Sequence, residues 1–285
     1  MTILIIIILV GIIFFFVYFR FRKNFKFMVT PCVTLITGAP KTGKDLLMNN
    51  LAQKDFKSVH RRWSIRKFFH KLLKRNVPFS DEEPLFYCNY ACSFGRLWKK
   101  KPHKLDKCIR KLTNISLRRM ERFNYKSIIS ITEASLVNDN QNFNDQDLNI
   151  DLSLFYKLIG HETRGGKLYC NTQSILDLHY APKRVACSFY WIQKNVKFLF
   201  GLFHVLYVRE MISADLGQNN FIDDTDTTTR KVMIPFWWHN RYDCYEFSYF
   251  TDDLECSNEK FVKDTLVSFN SRYISRADKR RKEIK

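Results

Sequence analysis

The chain is poor in acidic residues, glycine and proline. Asp and Glu total 28 against 47 Lys and Arg, with only 9 Gly and 7 Pro in 285 residues. So little Gly and Pro argues against a low-complexity chain. The acid deficit leaves a formal net charge of +19, which favours contact with polyanions: nucleic acid, or the anionic inner leaflet of a membrane. There is no C-x-x-C pair among the eight cysteines (Cys32, Cys88, Cys92, Cys108, Cys170, Cys187, Cys244, Cys256). The closest two, Cys88 and Cys92, have no matching second pair of Cys or His nearby, so the spacing gives no zinc site. This usage fits a reducing compartment better than a disulfide framework. Cys170 and Cys187, in apolar strand-like contexts, are expected to be buried thiols. No repeat of fixed period is present. The N-terminus lacks both a cationic n-region and a small-residue cleavage site, which argues against a signal peptide. What is abundant is apolar: 46% of residues are hydrophobic and 26 are Phe, which permits a phenylalanine-heavy core.

Residues 1–19, "MTILIIIILVGIIFFFVYF", carry no charge. That matches the roughly 20 apolar residues needed to cross a bilayer. The cations Arg20, Arg22, Lys23 and Lys26 follow at once, and positive charge beside a span marks its cytoplasmic side. The expectation is one N-terminal transmembrane helix over 1–19, a basic juxtamembrane linker over 20–30, and the bulk of the chain in the cytoplasm. A second apolar run, "VKFLFGLFHVLYVREM" at 196–211, is interrupted by Lys197, His204, Arg209 and Glu210 and divided by Gly201. It reads as one or two buried strands.

The strongest pattern is "VTLITGAPKTGKDLLMNN", residues 33–50. It reads as a buried strand, a glycine-bounded loop and the start of a helix. The loop, Gly38, Ala39, Pro40, Lys41, Thr42, Gly43, Lys44 and Asp45, fits the phosphate-cradling pattern G-x-x-x-x-G-K-[ST] except at its last position. Such a loop works because consecutive backbone N–H groups wrap phosphates at a helix N-terminus, with Lys44 reaching the β- and γ-phosphates of ATP. A second strand, "SIISITEA" at 127–134, ends in Thr132 and Glu133. A Walker B strand normally ends in Asp for Mg²⁺, followed by a Glu that positions water. The usual Mg²⁺ pair is therefore a hydroxyl from the loop and a carboxylate from the strand. This chain offers Asp45 and Thr132, the same two groups in exchanged places. A third segment, "GHETRGGKLYCNTQ" at 160–173, supplies Gln173 to sense a γ-phosphate or orient water, and Arg164 to act on a neighbouring subunit's nucleotide. His161 serves a structural role as readily as a catalytic one.

The remaining segments fall into place around these motifs. "KDLLMNNLAQKDF" is a helix, "HRRWSIRKFFHKLLKRN" one or two amphipathic basic helices, and "PLFYCNYACSF" strand-like. "NDNQNFNDQDLNIDL" at 138–152 is a loop. "SLFYKLIGHETR" is a helix ending at Gly165 and Gly166, and "KLYCNTQS" a strand. "FYWIQ", "KVMIPFWWH" and "YDCYEFSYF" are further strands, the last two preceded by the loop "DDTDTTTRK". The expected fold class is α/β: a P-loop NTPase domain over 31–195 with a parallel sheet and flanking helices. A β-rich extension of the core over 196–270 and a basic tail over 271–285 complete it.

"LITGAPKTGKD", "IISITEA" and "GHETRGGKLYCNTQS" together resemble, in order and rough spacing, the Zot-like (zonular occludens toxin-like) proteins, the assembly ATPases of filamentous phages. Glu133-Ala134, His161, Arg164-Gly165 and Thr172-Gln173 occupy the matching places over about 31–195. The resemblance implies an oligomeric ATPase of the host inner membrane. It would use ATP and Mg²⁺ to drive extrusion of single-stranded DNA wrapped in coat protein, with phage coat or assembly proteins as partners. Two features depart from the family: the exchanged metal positions, and a span that is N-terminal. The basic segment 58–122, with Arg61-Arg62, Arg66-Lys67, 99–101 and Arg118-Arg119 interleaved with Trp63, Phe68, Phe69 and Trp98, suits single-stranded DNA or an anionic membrane surface. Two other classes fit the same motifs: a DNA-pumping ATPase of conjugation or packaging, and a scaffold that does not hydrolyse nucleotide.

Overall fold

The computed structural model describes residues 30–73, 81–97, 102–112, 123–137, 146–175, 178, 180–211 and 229–247, with shorter stretches between 8 and 28. Ten strands are described: β1 (Val33–Gly38), β2 (Phe86–Cys88), β3 (Tyr90–Cys92), β4 (Ile109–Lys111), β5 (Ile128–Ile131), β6 (Lys167–Thr172), β7 (Ser188–Phe198), β8 (Phe203–Met211), β9 (Thr229–Pro235) and β10 (Tyr242–Phe247). The α-helices described after residue 30 are α1 (Lys44–Leu73), α2 (Ala134–Val137), α3 (Gln146–Glu162) and α4 (Tyr180–Val185).

Eight strands form one sheet in the order β4-β2-β5-β6-β1-β7-β8-β9. The first six run parallel, and β8 and β9 continue antiparallel. The expected parallel sheet is thus a mixed one. The extension strands β8 and β9 prolong it, and residues 196–198 belong to β7. β10 pairs instead with β3.

Alternation along the central strands builds two cores. Val33, Leu35, Ile129, Ile131, Leu168 and Cys170 point to one face, where Phe155, Tyr156 and Ile159 of α3 cover them. Ile36, Ile128 and Tyr169 point to the other, beneath Leu46, Leu47, Leu51 and Phe56 of α1. Burial on both faces is why these strands read as continuous apolar runs.

Several local expectations change. The helix read at 44–56 and the one or two read at 60–76 form one continuous helix of 30 residues, Lys44–Leu73; no Pro or Gly interrupts it. α3 begins at Gln146, inside the segment assigned to a loop; 138–145 lies outside the described residues. Its Asn and Asp residues lower helix propensity, but Phe155 and Ile159 supply the packing that overrides it. The run 196–211 turns at 199–202 into two strands. Cys170 is buried, but Cys187 is exposed, because it sits just ahead of β7. The Cys88 and Cys92 thiols lie 3.6 Å apart and are free. Described residues between 8 and 20 are helical, with Ile12, Ile13, Phe15 and Phe16 exposed. No helix among the described residues is long and apolar enough to cross a membrane; much of 1–19, and all of the tail 271–285, lies outside them.

A buried charge cluster ties α1 to the sheet. Asp55 Oδ2 accepts from Thr30 Oγ1 at 2.8 Å, Tyr169 Oη at 2.7 Å and Lys167 Nζ. Burial would raise the Asp55 pKa. The hydrogen bonds from Lys167 and Tyr169, the Lys167 charge and the Thr30 bond outweigh it and hold the carboxyl below its ordinary 3.8. The stabilisation is therefore complete above that ordinary value and is lost as pH falls through the depressed native one. We expect Asp55→Asn to destabilise by about 2–3 kcal/mol at pH 7. Urea unfolding at pH 7 and pH 3 checks both statements: the difference between wild type and variant should shrink at the lower pH.

Candidate nucleotide-binding site

The C-terminal ends of β1, β5 and β6 meet at one edge of the sheet, the usual place for ligands in parallel α/β sheets. The loop after β1 turns back on itself through Thr42: its N–H and Oγ1 reach the Ala39 carbonyl at 3.3 and 2.7 Å. Lys41 and Gly43 both have left-handed backbone, φ 66° and 92°. Gly43 has a second requirement, because a Cβ there would stand 2.9 Å from Leu206 Cδ2 and 3.3 Å from Asn195 Nδ2. The extension strands therefore press on the loop from outside. The helix α1 starts at Lys44, so the loop's N–H groups and the positive end of the helix dipole converge. Strand, loop and helix are arranged as the sequence predicts for a P-loop.

Lys44 is 4% exposed, and its ammonium donates to Glu133 Oε1 at 2.7 Å. Gln173 Nε2 reaches the same oxygen at 3.3 Å. Thr132 Oγ1 donates to Asp45 Oδ1 at 2.7 Å. The two groups in exchanged places are thus direct neighbours, although 87 residues separate them. Lys44, Asp45, Thr132, Glu133 and Gln173 come together at one edge. Arg164 and His161 do not. They lie exposed where α3 leads into the start of β6, about 20 Å along that strand from its Gln173 end. Within one chain Arg164 does not reach Lys44.

Two amides that sequence reasoning passed over hold the site in shape. Asn171, fully buried in β6, donates from Nδ2 to Asp45 Oδ1 at 2.7 Å. Its Oδ1 accepts the Glu133 N–H at 2.8 Å and lies 3.3 Å from Thr132 Oγ1. Asn89 pairs with both backbone groups of Thr132, at 2.8 and 3.0 Å. Glu133 needs this support, since its φ is 48°, a strained value for a residue with a Cβ. An amide directly after the apolar run Leu168–Cys170, Asn171 within "KLYCNT", is the signal that could have exposed it.

The donors around Asp45 suit a hard divalent cation. Asp45 and Thr132 offer carboxylate and hydroxyl oxygens, while Asn171 turns its Nδ2 toward Asp45 and its oxygen toward the Glu133 N–H; Mg²⁺ is commonly held through one or two protein carboxylates plus phosphate and water. Beyond the loop, His204 and His239 stack edge-on with centroids 4.5 Å apart, and His204 Nδ1 lies 3.0 Å from Asn195 Oδ1. Burial, then the charges of His204 and Lys197, push His239 down to about 4, with Asp45 opposing them.

The architecture is a mixed α/β sheet with a strand–loop–helix unit at its centre. No protein-family model matches this chain, and no curated protein sequence does. Solved structures are similar to it. One is the N-terminal domain of zonular occludens toxin from Neisseria meningitidis, 14% identical over 75% of this chain and 100% of that one, with a TM-score of 0.38. Another is the genome packaging NTPase of Sulfolobus turreted icosahedral virus 2 in complex with AMPPCP, 10% identical over 64% and 96%, TM-score 0.38. A KaiC-like protein from Pyrococcus horikoshii OT3 is 11% identical over 72% and 89%, TM-score 0.34.

Two outcomes follow from this geometry. Asn171→Leu keeps the volume but strands the Glu133 N–H and one Asp45 bond, and should destabilise by about 2–3 kcal/mol in urea unfolding. His239 is neutral at pH 7, and its depressed pKa means that folding loses stability as pH falls from 6.5 toward 4. His239→Gln should flatten that part of the stability–pH curve, and the His239 ring should titrate near pH 4 by NMR.

Proposed function

We propose that this chain is a membrane-anchored P-loop ATPase that drives assembly and extrusion of a filamentous phage, exporting single-stranded DNA. The observation that carries the ATPase part is the convergence of Lys44, the Asp45–Thr132 pair and Glu133 at one sheet edge. The export part rests on the resemblance of the three motifs to Zot-like proteins. Anchoring rests on the uncharged run 1–19 and its cationic flank. The phage coat or assembly proteins and further copies of the chain are the partners this reading requires, at the host inner membrane.

In this reading ATP phosphates lie along the N–H groups of residues 38–45, where the helix dipole favours anions. Lys44 then exchanges its Glu133 partner for phosphate oxygen. The freed Glu133 carboxylate accepts a proton from the attacking water, and Gln173 orients that water from the neighbouring strand. Asp45 and Thr132 would hold Mg²⁺, which when bound neutralises charge developing on the β- and γ-phosphates. Asn171 keeps the Asp45 carboxylate and the Glu133 backbone in place throughout. Arg164 enters only through a neighbouring subunit's nucleotide.

Steady-state ATP hydrolysis by the full chain in detergent tests the proposal. Lys44→Ala and Glu133→Gln should each lower kcat by about 100-fold or more. Asp45→Ser and Thr132→Asp should each be impaired singly, and the double variant should regain at least about tenfold over either. A folded, oligomeric chain that binds nucleotide but never hydrolyses it, with or without DNA, would replace the motor by a non-hydrolysing scaffold.

A further inference from the structure

The helix that starts at the P-loop has two unlike halves. Its buried residues end at Trp63. From there to Leu73 one side is held against the body of the protein and the other is bare. On the held side His60 Nε2 pairs with Glu83 Oε1 at 3.0 Å, and Trp63 Nε1 donates to the Asp81 carbonyl at 3.1 Å. Arg66 pairs with the Asp81 carboxylate at 3.0 Å and lies over the Tyr125 ring at 5.7 Å. Lys67 lies over Trp63 at 4.6 Å. These contacts fix the rotation of the helix about its axis.

Across the helix from them stand Ile65, Phe68, Phe69, Leu72 and Leu73, which are 49%, 64%, 52%, 58% and 76% exposed. Steps of three and four residues gather them into one stripe covering about 140° of the helix surface. Arg61 and Arg62 head the stripe, Arg66 and Lys71 stand beside it, and Lys67 lies on the held side over Trp63. No acidic residue occurs between 56 and 73. A wide apolar stripe with cations at its margins is the composition of a helix lying in a membrane interface.

We propose that the 61–73 half of α1 lies in the headgroup region of an anionic bilayer, stripe inward, as a second membrane contact beside the N-terminal segment. The inference rests on the anchored reading given above. Two features favour lipid over other occupants. Single-stranded DNA uses aromatic rings and cations but has no use for Ile65, Leu72 and Leu73, which make up three of the five stripe residues. A second copy of the same stripe would bring cations against cations with no acid between them. Anionic lipid satisfies both the apolar surface and its charged margin. Because the arm is continuous with the turn that carries Lys44 and Asp45, the bilayer would set the orientation of the nucleotide site.

Hydrogen exchange read by mass spectrometry over 64–73 tests this, using the full chain reconstituted into vesicles. Exchange should be about tenfold slower in phosphatidylcholine containing phosphatidylglycerol than in phosphatidylcholine alone, while 46–56 exchanges equally in both. Phe68→Glu with Leu72→Glu, both at exposed positions, should keep the thermal midpoint measured in detergent and abolish the difference. Equal exchange in the two bilayers overturns the proposal. So does protection that appears only on adding a single-stranded oligonucleotide, or that rises with protein concentration in phosphatidylcholine alone. A chain that fails to float with either vesicle refutes the anchoring itself. Floating with both vesicles without protection refutes only the arm.

Discussion

Asp45 Oδ1 accepts hydrogen bonds from Thr132 and Asn171 at the same length, 2.7 Å. Through that one oxygen the first turn of α1, the end of β5 and the end of β6 are held in register. It acts together with the Lys44–Glu133 pair, which joins the same turn of α1 to the end of β5; apolar contacts alone do not orient polar groups. Asn171 extends the constraint to the Glu133 backbone, and Asn89 extends it to Thr132 from the other side. The positive φ of Glu133 is sustained by this set, and it aims the carboxylate back at Lys44. The exchange of Asp and Thr between loop and strand is therefore geometrically self-consistent: the two groups face each other across the same short gap.

The second constraint comes from outside the P-loop core. β8 and β9 continue the sheet past β7, so Leu206 and the β7 residue Asn195 reach the loop at Gly43. Any side chain at residue 43 would collide with them, independently of its left-handed backbone. The extension also carries His239 and His204 to the loop's rim. Burial keeps His239 neutral, so the charges around Asp45 are not disturbed by it at neutral pH. The loop is thus clamped between its own helix and a neighbouring hairpin.

One helix serves two purposes in this chain. The first half of α1 buries Leu46, Leu47, Leu51 and Phe56 and anchors Asp55 among Thr30, Lys167 and Tyr169. The second half keeps its apolar residues in the open and is braced by Asp81 and Glu83. The two halves are one uninterrupted helix from Lys44 to Leu73. The low acid content of the chain has its clearest expression here, in a stretch with no acidic residue between 56 and 73.

Much of this was legible in the residues. The apolar runs "CVTLITG" and "SIISI" are central strands because both faces of each are covered. The loop from Gly38 to Lys44 and the acidic end of "SIISITEA" identify themselves, since each pattern reflects local backbone geometry. The pairing of Asp45 with Thr132 could be suspected from the exchange of residue types alone. Less legible were features set by contacts between distant segments. Asn171 and Asn89 are ordinary polar residues in sequence and acquire their role only when β6 and β2 flank β5. Arg164 was read as acting on a neighbouring subunit's nucleotide, and the parallel direction of β6 places it at the other end of that strand from Lys44 within one chain. The helical start of α3 within an Asn/Asp-rich stretch, the exposure of Cys187 and the mixed direction of the sheet were likewise decided by packing. Sequence alone determined the local chemistry of each motif, because that depends on neighbours a few residues away. The tertiary structure alone decided which motifs share an edge and which face of α1 stays bare, because strand order and helix rotation are set by the sum of long-range burial and hydrogen bonding.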